Sequence, residues 1–280
     1  GGYGSGIPVS TFAGCASAAV VAYALEASLS AEAMGSWGWR LPFLIAAPLG
    51  LVGLYLRWRL DETPAFQAVE QEHAVAHSPL KETLRNHGAA ICCLGAFVSL
   101  TALSFYMFTT YFATYLQVAG GLSRATALLV SLIALIFAAA ICPLAGWYSD
   151  RVGRRVTVMT ACGLLMGVVY PSFLMASSGS FAASIIGVML LAVGAVLCGV
   201  VTAALLSETF PTRTRYTASA ITYNMAYTIF GGTAPLVATW LISTTGSNLS
   251  PAFYLIAVAL LALAGGLALP ETSRISLHDA

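Results

Sequence analysis

Charged residues are scarce in this chain. Only 8% of its 280 residues are Asp, Glu, Lys or Arg, whereas 59% are hydrophobic. A soluble domain carries roughly 25% charged residues, so a chain of this composition cannot cover a surface that faces water. The scarcity of charge therefore predicts a membrane protein that exposes most of its surface to lipid.

The sequence also lacks a basic excess and the motifs of an enzyme. The formal net charge is +1, which argues against nucleic acid as a partner because such binding needs a basic face. We find neither a phosphate-binding loop nor a nucleophile–base constellation, so we expect neither an enzyme nor an ATP-driven pump. The six cysteines all lie in apolar runs and none has zinc-site spacing. We therefore expect no metal and no other cofactor.

Long apolar runs make up most of the chain. A spanning helix needs about 20 apolar residues, and eight runs qualify, at about 7–30, 41–58, 88–118, 124–145, 156–176, 180–206, 217–244 and 251–269. Runs of this length are helices, because only helices and closed barrels satisfy the backbone inside a bilayer. The sequence predicts an all-α membrane protein with eight transmembrane helices.

The basic residues predict the orientation of these helices. With both ends of the chain inside, only Arg40 and Arg124 of the twelve Lys and Arg residues fall outside. Lys and Arg collect on the cytoplasmic side of membrane proteins. We therefore expect both ends of this chain to be cytoplasmic.

One long polar stretch, 59–87, divides the first two runs from the other six. Within it, Ser78-Pro79 followed by Lys81 and Glu82 predicts the start of a short amphipathic helix. The predicted organisation is a pair of helices at 1–58, a cytoplasmic linker at 59–87, a six-helix bundle at 88–270 and a cytoplasmic tail at 271–280.

A short polar turn lies between the fourth and fifth runs, at 146–155. It holds one acid, Asp150, and is bracketed by Gly146 and Gly153, where a backbone bends sharply or approaches another closely. Its three arginines are Arg151, Arg154 and Arg155. They are compatible with a simple topology anchor, but an acid within the basic cluster and two glycines favour a more specific role.

Several motifs together resemble the major facilitator superfamily. The turn at 146–155 is similar to the signature loop of that superfamily, and RLDETPAF at 59–66 and LPETSR at 269–274 resemble the elements that close its sixth and twelfth helices. WGWRLPF at 37–43 and ETFPTRTRYT at 208–217 look like its metabolite:proton symporter branch, whose members carry proline and betaine or 2-oxoglutarate, shikimate and citrate.

The resemblance covers essentially the whole chain, but it matches only helices five to twelve of a twelve-helix fold. It implies that 1–58 contains the last two helices of the N-terminal bundle and that 88–270 is the C-terminal bundle. The first residue is not Met, which agrees with a fragment. The expected fold is therefore the superfamily fold with eight of its twelve helices.

The resemblance implies a gate at the signature loop that holds the cytoplasmic side closed and releases it during the cycle. An Asp between arginines can accept charge-assisted hydrogen bonds, and a carboxylate is favoured at a helix N-terminus, here near residues 5–8. We expect Glu208 to pair with Arg213 and Arg215 as a second part of the gate. The alternative is that Glu208 is an ordinary solvated carboxylate at a helix end.

Polar residues inside the spans predict the substrate path. We expect Tyr111 and Tyr115, one helical turn apart, and Asn224 and Tyr227 to line the cavity, because polar groups on spans face protein or water. Hydrogen bonds between helices and aromatic belts at the interfaces are the alternative. Gly231-Gly232 and Pro235 predict a bend in that helix.

Glu26 is the one carboxylate well inside an apolar run. An intramembrane acid is a candidate functional group, so Glu26 is a possible proton site. Its position near the outer end of the span, where it can reach water, is the competing explanation.

The implied function is proton-coupled uptake of a small organic solute by alternating access. The solute is either a compatible solute such as proline or betaine, or an organic acid. We expect a monomer in the bacterial cytoplasmic (inner) membrane, with the solute, protons and the lipid bilayer as its partners. A proton-driven exporter of drugs or metabolites and a membrane scaffold without transport both remain open. Lys and Arg are absent from mid-membrane positions, which favours a zwitterion over a dicarboxylate.

Overall fold

The computed structural model describes residues 6–59, 79–211 and 214–269. Eight of its helices are long and apolar enough to cross a membrane, as predicted. They are α1 (Gly6–Ser28), α2 (Gly38–Arg59), α3 (Leu84–Val118), α4 (Arg124–Val152), α5 (Arg154–Ala176), α6 (Phe181–Glu208), α7 (Arg215–Thr245) and α8 (Ser250–Leu267). A short helix, Ala31–Ser36, lies between α1 and α2. Most of the predicted linker, Arg213 and the predicted tail lie outside the described residues.

Two helix boundaries differ from those expected. The helical segment that contains α3 begins at Pro79, where the sequence predicted the start of a short amphipathic helix. Residues 79–87 continue without a break into the span that was expected to begin at 88. Proline suits a first helical position because its missing N–H has no partner there. Helix α4 continues to Val152, so most of the predicted turn is helical, and the chain reverses at Gly153 alone. Its φ of +90° is a conformation that glycine adopts without a steric penalty.

Helices α3 and α7 each contain a π-helical turn, at Met107–Tyr111 and Tyr227–Gly231. The π turn in α7 lies at the glycine pair where the sequence predicted a bend. A Cβ at Gly231 would lie 2.8 Å from Cδ2 of Tyr106, so the glycine lets α3 and α7 approach closely. The turn in α3 contains neither glycine nor proline, so no local pattern predicted it. Such π turns often occur at functional sites.

Helices α3 to α8 form a bundle around a shared apolar core. Helix α6 packs on α4 and α5, and α8 packs on α3 and α5. Small residues permit these close contacts: a Cβ at Gly265 in α8 would lie 2.6 Å from the main-chain oxygen of Cys93 in α3. The largest fully buried side chains include Tyr115, Phe97, Phe112, Phe173 and Phe210.

The first two spanning helices relate to this bundle in different ways. Helix α1 packs against α4 and, to a lesser extent, α6, and it buries Phe12 and Ala16. Helix α2 packs mainly beside α1, and none of residues Leu41–Arg59 is buried. The contact between α1 and the bundle therefore creates the space in which the candidate site lies.

Candidate functional site

Arg154, the first residue of α5, is the centre of a buried polar cluster that we call the latch. Its side chain is only 6% exposed. Its Nε and Nη2 donate to the two carboxylate oxygens of Glu208 at 3.1 and 3.0 Å, and its Nη1 donates to Asp150 Oδ1 at 2.9 Å. Charge-assisted, bidentate bonds of this kind are among the strongest in proteins. The latch therefore connects the ends of α4, α5 and α6.

Ser149 completes the latch. Nη1 of Arg154 also lies 3.2 Å from the main-chain oxygen and 3.1 Å from the hydroxyl of Ser149. Ser149 is fully buried, so these contacts satisfy polar atoms that water does not reach. The sequence reasoning did not single out Ser149, although it immediately precedes Asp150.

The other two arginines of the signature loop, Arg151 and Arg155, each have a partner outside the latch. Arg151 lies over the ring of Trp147, 4.2 Å from its centroid, in a cation–π contact. Arg155 donates Nη2 to the main-chain oxygen of Leu267 at 3.1 Å, which connects α5 to the end of α8. The structure therefore places the gate residues that it describes at one end of the bundle, with Arg154 at their centre.

Glu208 accepts hydrogen bonds from Arg154, whereas the sequence predicted Arg213 and Arg215 as its partners. Arg215 donates its Nε to the main-chain oxygen of Phe210 at 2.9 Å. Among the described residues, its Nη2 is buried without a hydrogen-bond partner. Arg215 thus folds back onto the loop that precedes it, while the guanidinium of Arg154 donates hydrogen bonds to the carboxylate of Glu208. The predicted partner Arg213 lies outside the described residues, as does Ser5 of the segment 5–8 near which Asp150 was expected to lie.

A cavity of about 330 Å³ lies between α1, α3, α6 and α7. No charged side chain lines it among the residues that the structure describes. Its remaining wall is aliphatic or glycine, including Gly199 of α6. Hydroxyl groups come from Thr11, Thr101 and Thr202, and aromatic rings come from Phe12, Phe105, Tyr223 and Tyr227.

The polar and aromatic groups of the cavity are paired across helices. The hydroxyls of Thr101 in α3 and Thr202 in α6 lie 2.7 Å apart. The rings of Tyr223 and Tyr227, one turn apart in α7, stack with centroids 3.9 Å apart and planes 20° apart. The Tyr227 ring also meets Phe105 of α3 at 6.5 Å. The cavity wall is therefore neutral, with aromatic and hydroxyl portions.

The four residues predicted for the substrate path are not all in this cavity. Tyr227 lines it. Tyr111 and Tyr115 are buried at 5% and 1% exposure, and the Tyr115 hydroxyl lies 2.9 Å from the main-chain oxygen of Asn248. Asn224 is exposed and donates to the main-chain oxygen of Ala220 at 2.8 Å. The expectation missed Thr101, Thr202, Phe105 and Phe12.

Glu26 lies in an ion pair near the end of α1. Its Oε2 is 3.4 Å from Nη2 of Arg124, the first residue of α4, and the two side chains are 31% and 64% exposed. This partner favours an anchor between α1 and α4. The sequence had placed both residues on the outer side of the membrane.

These features define a polytopic α-helical membrane protein with a cavity between its helices that no charged side chain among the described residues lines. Ligand pockets usually measure about 300–1,000 Å³, so the cavity is suited to a small molecule.

The family comparison agrees with the resemblance found in the sequence. The model of the Major Facilitator Superfamily matches residues 9–235 and 121–277. The chain belongs to the major facilitator superfamily.

The chain is similar to several transporters of compatible solutes. It is 33% identical to the ectoine/proline transporter ProP of Corynebacterium glutamicum, over 94% of this chain and 54% of the relative. It is also 33% identical to the glycine betaine/proline/ectoine/pipecolic acid transporter OusA of Dickeya dadantii, over 99% of this chain and 57% of the relative. The chain thus spans little more than half the length of these relatives.

A solved structure shares the fold. The proton:xylose symporter XylE, bound to 6-bromo-6-deoxy-D-glucose, superposes with a TM-score of 0.76 at 19% sequence identity. The superposition covers 99% of this chain and 66% of the symporter chain. This confirms the predicted superfamily fold.

Proposed function

We propose that this chain is part of a secondary active transporter that takes up a small zwitterionic solute together with protons. The observation that carries the proposal is the neutral cavity between α1 and the bundle. A dicarboxylate would need cationic partners in such a site, because burying unpaired charge is costly. Proline, betaine and ectoine, which appear in the names of the relatives, carry no net charge as zwitterions.

The arrangement of the cavity supports alternating access. One wall comes from α1 and the other from α3, α6 and α7, so relative movement of the two walls would open or close the site. Transporters of this type work by such movements of helical bundles around a central site. In this proposal the latch holds α4, α5 and α6 together on the closed side, and Asp150 is its exposed member.

The proposed location is the bacterial cytoplasmic membrane, with a monomer as the working unit. The arginines of the latch end, together with Arg57 and Arg59 of α2, would face the cytoplasm, in accordance with the distribution of Lys and Arg in membrane proteins. Both ends of this chain would then be cytoplasmic. A reagent that does not cross membranes should label single cysteines introduced near Arg57 only after the cells are opened.

Uptake into vesicles tests the function directly. The complete reading frame would be expressed, and labelled proline, glycine betaine, 2-oxoglutarate, shikimate and citrate would be offered with and without an inward proton gradient. We expect gradient-dependent accumulation of proline or glycine betaine. Accumulation of an organic acid alone would contradict the zwitterion assignment. Efflux without uptake would favour an exporter, and no flux in folded protein would favour a scaffold.

The latch has its own test. Asp150→Asn should slow turnover while leaving the half-saturating solute concentration nearly unchanged, because Asp150 contacts Arg154 and not the cavity. Glu32→Gln is a matched control, since Glu32 is an exposed acid on the short helix Ala31–Ser36. Unchanged turnover in Asp150→Asn would remove this residue from the gate.

A further inference from the structure

We infer that the aromatic wall of the cavity, formed by Tyr223, Tyr227, Phe105 and Phe12, recognises the ammonium group of the solute and favours a quaternary ammonium. The inference rests on the proposed function and deepens it, because it names the group on the solute that the cavity selects. It also names Tyr223 as a specificity-determining residue.

A cation in this cavity needs a partner other than a carboxylate. None of the lining residues described is an acid. Aromatic faces attract cations through their quadrupole, and rings grouped around a site are a known means of binding quaternary ammonium ligands. The diffuse charge of such a group also loses less hydration than a primary ammonium does. The lining therefore suits a methylated ammonium better than a bare one.

The rings form a continuous wall across three helices. Tyr223 stacks on Tyr227 at 3.9 Å, Tyr227 meets Phe105 at 6.5 Å, and Phe105 meets Phe12 at 5.9 Å. Tyr106 meets Tyr227 edge to face, with ring centroids 6.2 Å apart. These contacts fix the positions of the rings before any solute binds, which lowers the entropic cost of binding.

Tyr223 is the accessible member of this wall. It lines the cavity and is 38% exposed, whereas Phe12 is 2% exposed and Tyr227 is partly buried. Its ring is therefore the one whose removal changes the cavity surface with the least disturbance of the core. The hydroxyls of Thr101 and Thr202, which lie 2.7 Å apart, provide a polar portion of the same cavity.

The decisive comparison uses two molecules of the same shape. Glycine betaine and 3,3-dimethylbutanoate both carry a carboxylate, but the second has a neutral carbon where the first has a cationic nitrogen. Each would compete with labelled proline for uptake by the complete transporter. We expect glycine betaine to inhibit about 2- to 30-fold more strongly, the range that one cation–π contact supports.

Variants of Tyr223 separate recognition from packing. Tyr223→Leu should reduce that ratio to near one, whereas Tyr223→Phe should keep most of it because the ring remains. Tyr216→Leu is the matched control on the same helix, since Tyr216 is 88% exposed and does not line the cavity. Equal inhibition by the two molecules, or an unchanged ratio in Tyr223→Leu, would overturn the inference.

Binding to purified protein keeps this test separate from the proposed function. Absence of any transport would defeat the proposed function, but the two molecules can still be compared by the shift they cause in thermal unfolding of the detergent-solubilised protein. A shift with glycine betaine that is lost in Tyr223→Leu would support the aromatic wall without transport. Equal shifts, or none with either molecule, would count against it.

Discussion

Removal of the Arg154 side chain should destabilise the bundle more than removal of an exposed arginine. Arg154 is 6% exposed, and its guanidinium contacts Glu208, Asp150 and Ser149. Loss of one partner of a buried ion pair costs about 3–5 kcal/mol. Glu208 and Asp150 are 17% and 42% exposed, so water partly replaces the lost partner. We therefore expect Arg154→Ala to lower the free energy of unfolding by about 2–4 kcal/mol.

A double-mutant cycle identifies the contact responsible. Arg154→Ala, Glu208→Ala and the double variant would be compared with the unmodified protein. Because the two side chains contact each other directly, the loss in the double variant should be smaller than the sum of the single losses by about 0.5–3 kcal/mol. The same cycle with Asp150 should give a smaller coupling energy, because Asp150 is the more exposed partner.

Unfolding would be followed by tryptophan fluorescence during a denaturant titration of the protein in detergent, since the chain contains five Trp residues. Arg124→Ala is the matched control. Arg124 is 64% exposed in its ion pair with Glu26, and such pairs contribute about 0–1 kcal/mol. If Arg154→Ala were no less stable than Arg124→Ala, or if the Arg154 and Glu208 losses were additive, the latch would not be a stabilising unit.

Three further substitutions test other parts of the structure. Tyr115→Phe removes a hydroxyl that lies near the main-chain oxygens of Phe173, which is buried, and of Asn248, so the free energy of unfolding in the same titration should fall by about 1–2 kcal/mol. Gly265→Ala places a methyl group 2.6 Å from the Cys93 oxygen and should cost about 1–3 kcal/mol, whereas Gly167→Ala, with nothing within 4 Å, should be neutral or stabilising. Glu26→Gln should retain gradient-driven uptake, because the Glu26 carboxylate forms an ion pair with Arg124 that explains its presence without a role in proton transfer. Loss of accumulation with exchange intact would instead assign the proton site to Glu26.

The sequence predicted the spanning helices and the cluster of charged residues in the signature loop, because both leave a local pattern. Apolar length marks the helices, and Gly153 marks the reversal between α4 and α5. The main latch contact leaves no such pattern, since Arg154 and Glu208 are 54 residues apart. Arg215 is nearer to Glu208 along the chain, but only the packing of α5 on α6 determines which arginine reaches the carboxylate.

The cavity was harder to predict, for a reason that lies in the helices themselves. Membrane-spanning helices are apolar on all sides. The spacing of residues therefore shows which of them share one face of a helix, but not which neighbour or cavity that face contacts. The π turn at Met107–Tyr111 adds to the difficulty. One extra residue in a turn rotates everything after it by about 100°. The face of α3 that carries Thr101 and Phe105 therefore does not continue through Tyr111 and Tyr115.

Helix α6 connects the two parts of the site. It carries Thr202 and Gly199 at the cavity and ends at Glu208 in the latch. Glu208 lies six residues after Thr202, about 9 Å along the helix, and no π turn interrupts α6 as described. A displacement of the Glu208 end would therefore move the cavity wall as well, unless the helix bends. If α6 moves as a rigid rod, the anchor that Arg154 provides for this end would also limit how far the Thr202 hydroxyl can move from Thr101. The shape of the neutral cavity would then depend on a charged contact outside it.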